Sequence, residues 1–389
     1  MTATVKTRFN IYRKKQLLLA LLFLVLFLLF SSFVIYKLSI SDNNVNVVYD
    51  QPVDGAAVDD SVFSLDGTVY VASETGLKTA INNTFSSSST SATIALNKDI
   101  TLTEALVIST NKNIILTSNR TSGFCRLFGA SDENTITVET DGQLRLDNII
   151  VTHANGIAGR GAAVCSGGTL ILLNGEIVDN FIVGGSGGGG VLVYSGGYFK
   201  MMAGKIANNR VTFLDSMDIF RPGGITASGG GIKNDGTISM SGGTITNNTA
   251  DSLGGGVHNS GKFIMTGGSI TKNTGNAGGG VYVYLLGSFT LSNGEVSNNI
   301  AIRGGGVCVF GDFTMSNGKI TDNSVSFCGG GVYVESGDYS SFNIIGGTIS
   351  GNTAAASGGG VYNGKIFTNS GGKIFNNKAN SDNDVFNSK

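Results

Sequence analysis

Residues 278–323 read GGGVYVYLLGSFTLSNGEVSNNIAIRGGGVCVFGDFTMSNGKITDN and contain one pattern twice. Each copy opens with three glycines and a valine, and each closes with an aliphatic residue followed three positions later by an asparagine, Asn299 and Asn323. Between these ends, Val281-Tyr282-Val283 and Phe289-Thr290-Leu291 have the period of two that is typical of β-strands. The stretch therefore predicts a repeat built from short strands.

The same pattern extends outward over eight copies, from Gly161 to Asn377. A glycine always lies two residues before the closing aliphatic residue, and a large apolar residue, usually phenylalanine, lies seven before it. Residues 211–228 form an insertion in one copy. The asparagines at the fixed offset are Asn180, Asn209, Asn248, Asn273, Asn299, Asn323, Asn352 and Asn377.

Three strands per copy cannot fold alone, but stacked copies place equivalent residues about 4.8 Å apart in parallel register. We therefore predict an all-β, right-handed parallel β-helix of three-strand coils. The phenylalanines should stack inside it, and the asparagines should form an inward hydrogen-bonded ladder. Residues 161–389 are the regular coils. Residues 68–160 are expected to hold a cap and irregular coils, roughly eleven coils in all, with helical spacing of Leu77, Ala80 and Ile81 at the start.

The N-terminal region differs in composition from the repeats. Residues 1–15 carry five basic residues and no acid, and residues 17–36 carry no charge. We therefore expect a cytoplasmic segment over 1–15, a transmembrane signal-anchor helix over 16–38 and an acidic linker over 39–67. A cleaved signal peptide is the alternative. Either way the β-helix should lie on the extracellular side of the cell membrane.

Composition excludes several function classes. The net charge of −1 gives no basic field for nucleic acid. The four cysteines have no C-x-x-C spacing, and the chain has two histidines, so we expect neither a metal site nor a cofactor. We interpret His153 and His258 as surface residues, since neither has an acid or metal partner nearby in sequence.

The repeats resemble right-handed β-helices of the pectate-lyase type. They are most similar to the repeats of polymorphic outer-membrane proteins, which combine G-G-A-[ILV] with F-x-x-N. Here the first element is GGGV, as at 254–257 and 304–307, and the second is I-x-x-N, as at Ile320 to Asn323. Similar repeats occur in adhesin-like surface proteins. The resemblance covers about residues 68–389, and it implies surface display and adhesion, with glycans or other surface molecules as partners.

The resemblance also brings an enzymatic alternative, a polysaccharide lyase or glycosidase. A lyase needs clustered carboxylates for Ca²⁺ with a nearby Arg or Lys base, and a hydrolase needs two carboxylates at a defined separation. Asp235 and Glu335 are predicted four coils apart, which is too far. The insertion offers Asp215, Asp218 and Arg221, for which a plain surface loop is the other interpretation. We therefore expect a binding protein rather than an enzyme, and we assign no catalytic residue.

A candidate binding face lies on the strand that follows the glycines, where the residue after the inward valine should point outward. That position and the next outward one carry five aromatic residues in the last coils. Flat rings of this kind stack on sugars or fill interface pockets. The alternative is that like residues stack only because neighbouring coils align. The candidate residues are Tyr282, Tyr284, Phe310, Tyr333 and Tyr362.

Overall fold

The computed structural model of this 389-residue chain describes residues 36–41, 44–49, 62–63, 67–84, 91–129, 132–154, 156–184, 187–213 and 227–388. From residue 68 onward the chain winds into a parallel β-solenoid with three long sheets. One of these sheets has eleven strands, one for each coil. The predicted all-β solenoid and its number of coils are confirmed, while the hand of the coil stays a prediction.

Sheet 1 contains the strands that follow the glycine clusters. Consecutive strands in it are parallel and in register, so that Val281 pairs with Val307 and Val307 with Val332. Its strands are Leu106–Ile108, Asn134–Val138, Arg160–Val164, Val191–Val193, Ile232–Asn234, Val257–Asn259, Val281–Val283, Val307–Val309, Val332–Val334, Val361–Asn363 and Val385–Asn387.

Sheet 2 contains the strands with the inward phenylalanines. Its parallel strands are Thr68–Val71, Ala92–Leu96, Asn113–Ser118, Gln143–His153, Thr169–Val178, Tyr198–Met201, Thr237–Met240, Lys262–Met265, Ser288–Leu291, Asp312–Met315, Ser341–Ile344 and Ile366–Asn369. The short strand Val62–Phe63 adds to its first strand in the antiparallel direction.

Sheet 3 contains the strands that precede the ladder asparagines. It shares the long strands Gln143–His153 and Thr169–Val178 with sheet 2, because these two strands run across both faces. Its other strands are Ile100–Leu102, Cys125–Gly129, Lys205–Ala207, Thr244–Thr246, Ser269–Thr271, Glu295–Ser297, Lys319–Thr321, Thr348–Ser350 and Lys373–Phe375.

A fourth, shorter row of strands follows each ladder asparagine and leads back to sheet 1. It consists of two three-stranded sheets joined through bridges of Thr274 to Thr249 and Ile300. The strands are Phe181–Val183, Arg210–Thr212 and Thr249–Ala250, then Ile300–Ala301, Ser324–Val325 and Thr353–Ala354.

The corners between sheets depend on left-handed backbone. The residue before each ladder asparagine has positive φ, for example 55° at Asn247 and 57° at Asn298. The first glycine of most clusters does too, with 65° at Gly254. Glycine and asparagine adopt this conformation at low cost, so the corners are where the sequence concentrates them.

The core is one continuous column of buried apolar side chains. Phe263, Phe289, Phe313 and Phe342 occupy successive coils, and the ring centroids of neighbours lie 4.8, 4.9 and 4.5 Å apart. Rings stacked this way bury large apolar areas and interact favourably with each other. The predicted inward phenylalanine stack is therefore present in the core.

The N-terminal end of the solenoid is covered by the single described α-helix, α1 (Glu74–Asn83). Ser73 caps it, since its Oγ accepts a hydrogen bond from the backbone N–H of Gly76 at 3.0 Å. Leu77, Ala80 and Ile81 are the face that α1 buries against the first coils, as the helical spacing of these residues predicts.

The predicted transmembrane helix over residues 16–38 is corrected by the structure. Its last three residues lie in the strand Tyr36–Ser41, which pairs antiparallel with Asn44–Tyr49. Tyr36-Lys37-Leu38-Ser39-Ile40-Ser41 alternates apolar and polar residues, a strand pattern that the uncharged run before it obscured. Residues 16–35 lie outside the described residues. Among the described helices none is long and apolar enough to cross a bilayer, so the fold class is an all-β solenoid without an assigned transmembrane helix.

Candidate functional site

The asparagines after sheet 3 form a continuous hydrogen-bonded ladder inside the solenoid. Each amide Nδ2 donates to the Oδ1 of the next coil's asparagine at 2.9–3.0 Å, and the backbone N–H of the same residue donates to that oxygen as well. The Nδ2 of Asn299 also donates to the carbonyl of Ile270 at 3.0 Å. Every amide dipole therefore points the same way along the rod.

Both ends of the ladder have a different residue as a cap. The ring Nδ1 of His153 lies 2.9 Å from the Oδ1 of Asn180, the first rung. At the other end, the Oδ1 of Asp384 accepts from the backbone N–H and the Nδ2 of Asn377 at 3.1 and 2.9 Å. A carboxylate at the donor end of aligned dipoles is electrostatically favourable. His153 is buried, so its interpretation as a surface residue was wrong.

The outer face of sheet 1 carries a second ordered feature, here called the aromatic row. It consists of His258, Tyr282, Cys308, Tyr333, Tyr362 and Phe386, which are register partners in successive coils. His258 stacks on Tyr282 with centroids 5.6 Å apart. Beyond Cys308, Tyr333 stacks on Tyr362 at 4.7 Å, and Tyr362 stacks on Phe386 at 4.9 Å. Most ring faces in the row are therefore covered by neighbouring rings.

Part of the row is buried against residues from outside the strands of sheet 1. Ala277, which lies just before a glycine cluster, forms a buried apolar cluster with Tyr282 and Cys308, and Leu253 packs against this cluster. Tyr282 is 6% exposed, and Cys308 is fully buried. His258 is also buried, contrary to its interpretation as a surface residue. The first three residues of the row, His258, Tyr282 and Cys308, are therefore buried, whereas Tyr333, Tyr362 and Phe386 are partly exposed.

The accessible part is a patch beside the row, called the Tyr284 patch and made of Tyr284, Phe310, Arg303, Tyr333 and Glu335. The rings of Tyr284 and Phe310 meet edge to face with centroids 6.1 Å apart. The Arg303 guanidinium lies 5.7 Å from the centre of the Tyr333 ring and 3.3 Å from the carboxylate of Glu335. Tyr284 is 41% exposed, and Arg303 keeps much of its side chain in solvent.

Burial and neighbouring charges shift the pKa values of several groups at this face. Burial raises the pKa of the Tyr282 hydroxyl and of the Cys308 thiol, so both stay neutral. Burial, with help from the Glu335 carboxylate, raises the pKa of Tyr333 to about 12. Burial, together with the positive charge of Lys233, lowers the pKa of His258 to about 3. Burial is the largest single effect on the pKa of Arg303 and works to lower it, but Glu335, Cys308, Tyr333 and Tyr282 together outweigh burial and raise that pKa.

Of the five predicted face residues, the structure brings Tyr284, Phe310 and Tyr333 together at a partly exposed patch. Tyr282 lies beneath them, and Tyr362 lies between two other rings. The sequence did not single out Arg303 and Glu335 together. Their pairing could have been predicted from the repeat spacing, because the two residues occupy neighbouring coils near the outward aromatic positions.

The candidate catalytic groups are not gathered in the part of the chain that the structure describes. Asp215, Asp218 and Arg221 lie outside the described residues. Asp235 and Glu335 follow sheet 1 strands that are four positions apart, on the order of 19 Å. The described residues include no group of three or more His, Cys, Asp or Glu side chains placed to hold a metal ion. All four cysteines are described and are free thiols.

Comparison with known proteins identifies no relative. No protein-family model, no curated protein and no solved structure matches this chain.

Proposed function

We propose that the protein is an extracellular β-helix surface protein that binds carbohydrate through the Tyr284 patch, with adhesion as the outcome. The single observation that supports this proposal is the combination of partly exposed rings with a paired arginine and carboxylate in one patch. Sugars present apolar C–H faces and vicinal hydroxyls. Rings can pack on the former, while Arg303 and Glu335 can donate to and accept from the latter.

The rigid solenoid supports the same proposal. The patch is carried by three adjacent sheet 1 strands, and Cys308 and Tyr282 beneath it are closely packed. A preorganised surface loses little side-chain freedom on binding, which favours affinity from a small contact area. The alternative function, a lyase or glycosidase, has no comparable arrangement of carboxylates among the described residues.

A glycan array probed with the purified full chain tests the proposal. We expect binding to a defined set of glycans, and we expect Tyr284→Ser combined with Phe310→Ser to weaken it at least about tenfold, which corresponds to ~1.4 kcal/mol. Tyr339→Ser is the matched control, because Tyr339 is 61% exposed and is not part of the patch.

Thermal unfolding of each variant distinguishes a lost site from a lost fold. Reduced binding with an unchanged melting temperature supports the site. If the array shows no glycan binding, or if the double variant binds as well as the control, the proposal is wrong.

A further inference from the structure

The residue that follows each sheet 1 strand belongs to a second ordered line, which runs beside the aromatic row. The backbone N–H of Asp235 donates to the carbonyl of Val193 at 2.8 Å, and that of Phe310 donates to the carbonyl of Val283 at 2.8 Å. The parallel register of sheet 1 therefore continues through this position. Six consecutive members of the line, here called the outer column, are Tyr194, Asp235, Ser260, Tyr284, Phe310 and Glu335.

The outer column is accessible along its length. Tyr194 and Tyr284 are 46% and 41% exposed, and the other four members are partly exposed. A single glycine separates Asp235, Ser260 and Phe310 from the sheet 2 strand that follows each of them. No long loop therefore lies beside the column at these three coils.

Several polar groups of the column are available to a ligand. Among the residues that the structure describes, the hydroxyls of Tyr194 and Tyr284 and the carboxylate of Asp235 have no hydrogen-bond or ion-pair partner. Ser260 adds a further hydroxyl, and Glu335 adds a second carboxylate. Hydroxyls donate and accept hydrogen bonds, and carboxylates accept them. The column therefore combines ring faces with groups that suit the hydroxyls of sugars.

The outer face of sheet 1 carries no net charge over the coils of the column. The carboxylates of Asp235 and Glu335 are balanced by Lys233, the register partner of His258, and by Arg303. His258 is neutral, because burial lowers its pKa to about 3. A face without net charge gives no long-range attraction to an anionic or a cationic polymer. The balance of charges therefore favours a neutral ligand.

The spacing of the column indicates the shape of that ligand. Neighbouring members are one coil apart, about 4.8 Å, so the six of them extend over about 24 Å. One pyranose ring of an extended, linear polysaccharide advances by nearly the same length as one coil. A straight sugar chain that lies along the rod can therefore meet an equivalent position with each ring.

We propose that the outer column binds a neutral, linear polysaccharide that lies along the rod, with one sugar ring at each coil. This inference rests on the proposed carbohydrate-binding function, and it extends the site from the Tyr284 patch to Tyr194. The site has a defined length, because the equivalent residues in the adjoining coils, Cys165 and Gly364, offer neither a ring nor a hydroxyl. It therefore holds six rings.

Titration calorimetry of the purified full chain with oligosaccharides of increasing length tests this proposal. The probes are cello-, manno- and xylo-oligosaccharides from the disaccharide to the hexasaccharide, with oligogalacturonates of the same lengths as the charged comparison. We expect at least one neutral series to bind, and its hexasaccharide to bind at least about tenfold more tightly than its disaccharide. Oligogalacturonates should bind more weakly than that neutral series at every length.

Two tyrosine variants locate the sugar chain on the column. Tyr194→Ser should weaken hexasaccharide binding by about fivefold, because one stacked ring is lost, and it should leave disaccharide binding unchanged. Tyr284→Ser should weaken the binding of both. Tyr339→Ser, the exposed control outside the column, should weaken neither, and all three variants should keep the melting temperature of the unaltered chain.

The results separate this inference from the proposed function. The inference is overturned if none of the neutral series binds, if the hexasaccharide binds no more tightly than the disaccharide, or if Tyr194→Ser has no effect on the hexasaccharide. Tighter binding of oligogalacturonates overturns it as well. Each of these outcomes leaves binding on a glycan array intact, whereas an array without any bound glycan removes the proposed function and this inference together.

Discussion

At the scale of single residues, the glycine clusters and the ladder asparagines pack against each other. A Cβ added to Gly256 would lie 3.1 Å from the Nδ2 of Asn273 and 2.6 Å from the carbonyl oxygen of Gly280. A Cβ added to the last glycine of each of the other clusters would likewise lie close to the Nδ2 of a ladder asparagine and to a neighbouring backbone carbonyl. The sequence shows both residues at regular spacing, but it cannot show that they touch, since 17 residues separate Gly256 from Asn273.

We expect Asn299→Ala to lower the free energy of unfolding by about 3 kcal/mol. The change leaves the backbone N–H and the Nδ2 of Asn273 without their acceptor and the carbonyl of Ile270 without its donor, and each unpaired buried group costs roughly 1–3 kcal/mol. Asn293→Ala, at an exposed position of the same coil, should change stability by less than about 0.5 kcal/mol. Urea unfolding measures both, and equal effects would contradict the role of the ladder.

The buried His258 predicts a pH dependence of stability. Its pKa in the folded protein is lowered to about 3 by burial and by Lys233, from an ordinary 6.5. The unfolded chain therefore binds more protons between these values. The stability that depends on neutral His258 is complete above pH 6.5 and is lost as the pH falls toward 3, on the order of 5 kcal/mol. His258→Phe should remove this dependence. Unfolding at pH 7 and pH 4 measures it, and an equal loss in both proteins would contradict the assignment.

At the scale of strands and sheets, inward positions were predictable, whereas outward positions were not. Alternation and the glycine–asparagine spacing located the phenylalanine stack and the sheet 1 valines, because one buried face defines the register. The same rule places Tyr282 and His258 outside, yet both are buried. Ala277 and Leu253, which lie before glycine clusters, pack with Tyr282. Alternation within one strand carries no information about packing by residues outside that strand.

We expect substitutions on the inward face of sheet 2 and on the outward face of sheet 3 to have very different effects on stability. Phe289 is buried between Phe263 and Phe313, so Phe289→Asp should destabilise the solenoid by several kcal/mol, because an unpaired carboxylate is buried. Lys319 is exposed and is the register partner of Glu295, so Lys319→Ala should lose less than about 1 kcal/mol. Thermal unfolding compares them, and equal shifts would mean that the register is off by one residue.

At the scale of the whole molecule, stability should follow position along the rod. In a solenoid each coil contacts only its neighbours, so the free energy of opening depends on whether both neighbours are present. The central coils have two, and the first coils have α1 as a cap. The last described coil has one neighbour among the described residues, and its sheet 2 strand is mostly exposed. We therefore expect the chain to fray from its C-terminal end.

Hydrogen exchange followed by mass spectrometry measures this gradient. Peptides over 364–388 should exchange first, and peptides over 257–325 should exchange last, because opening a central coil breaks contacts on two sides. The first coils should be intermediate, and Leu77→Asp, which disrupts the buried face of α1, should bring their exchange close to that of the last coil. Uniform exchange along the rod would contradict coil-by-coil stability.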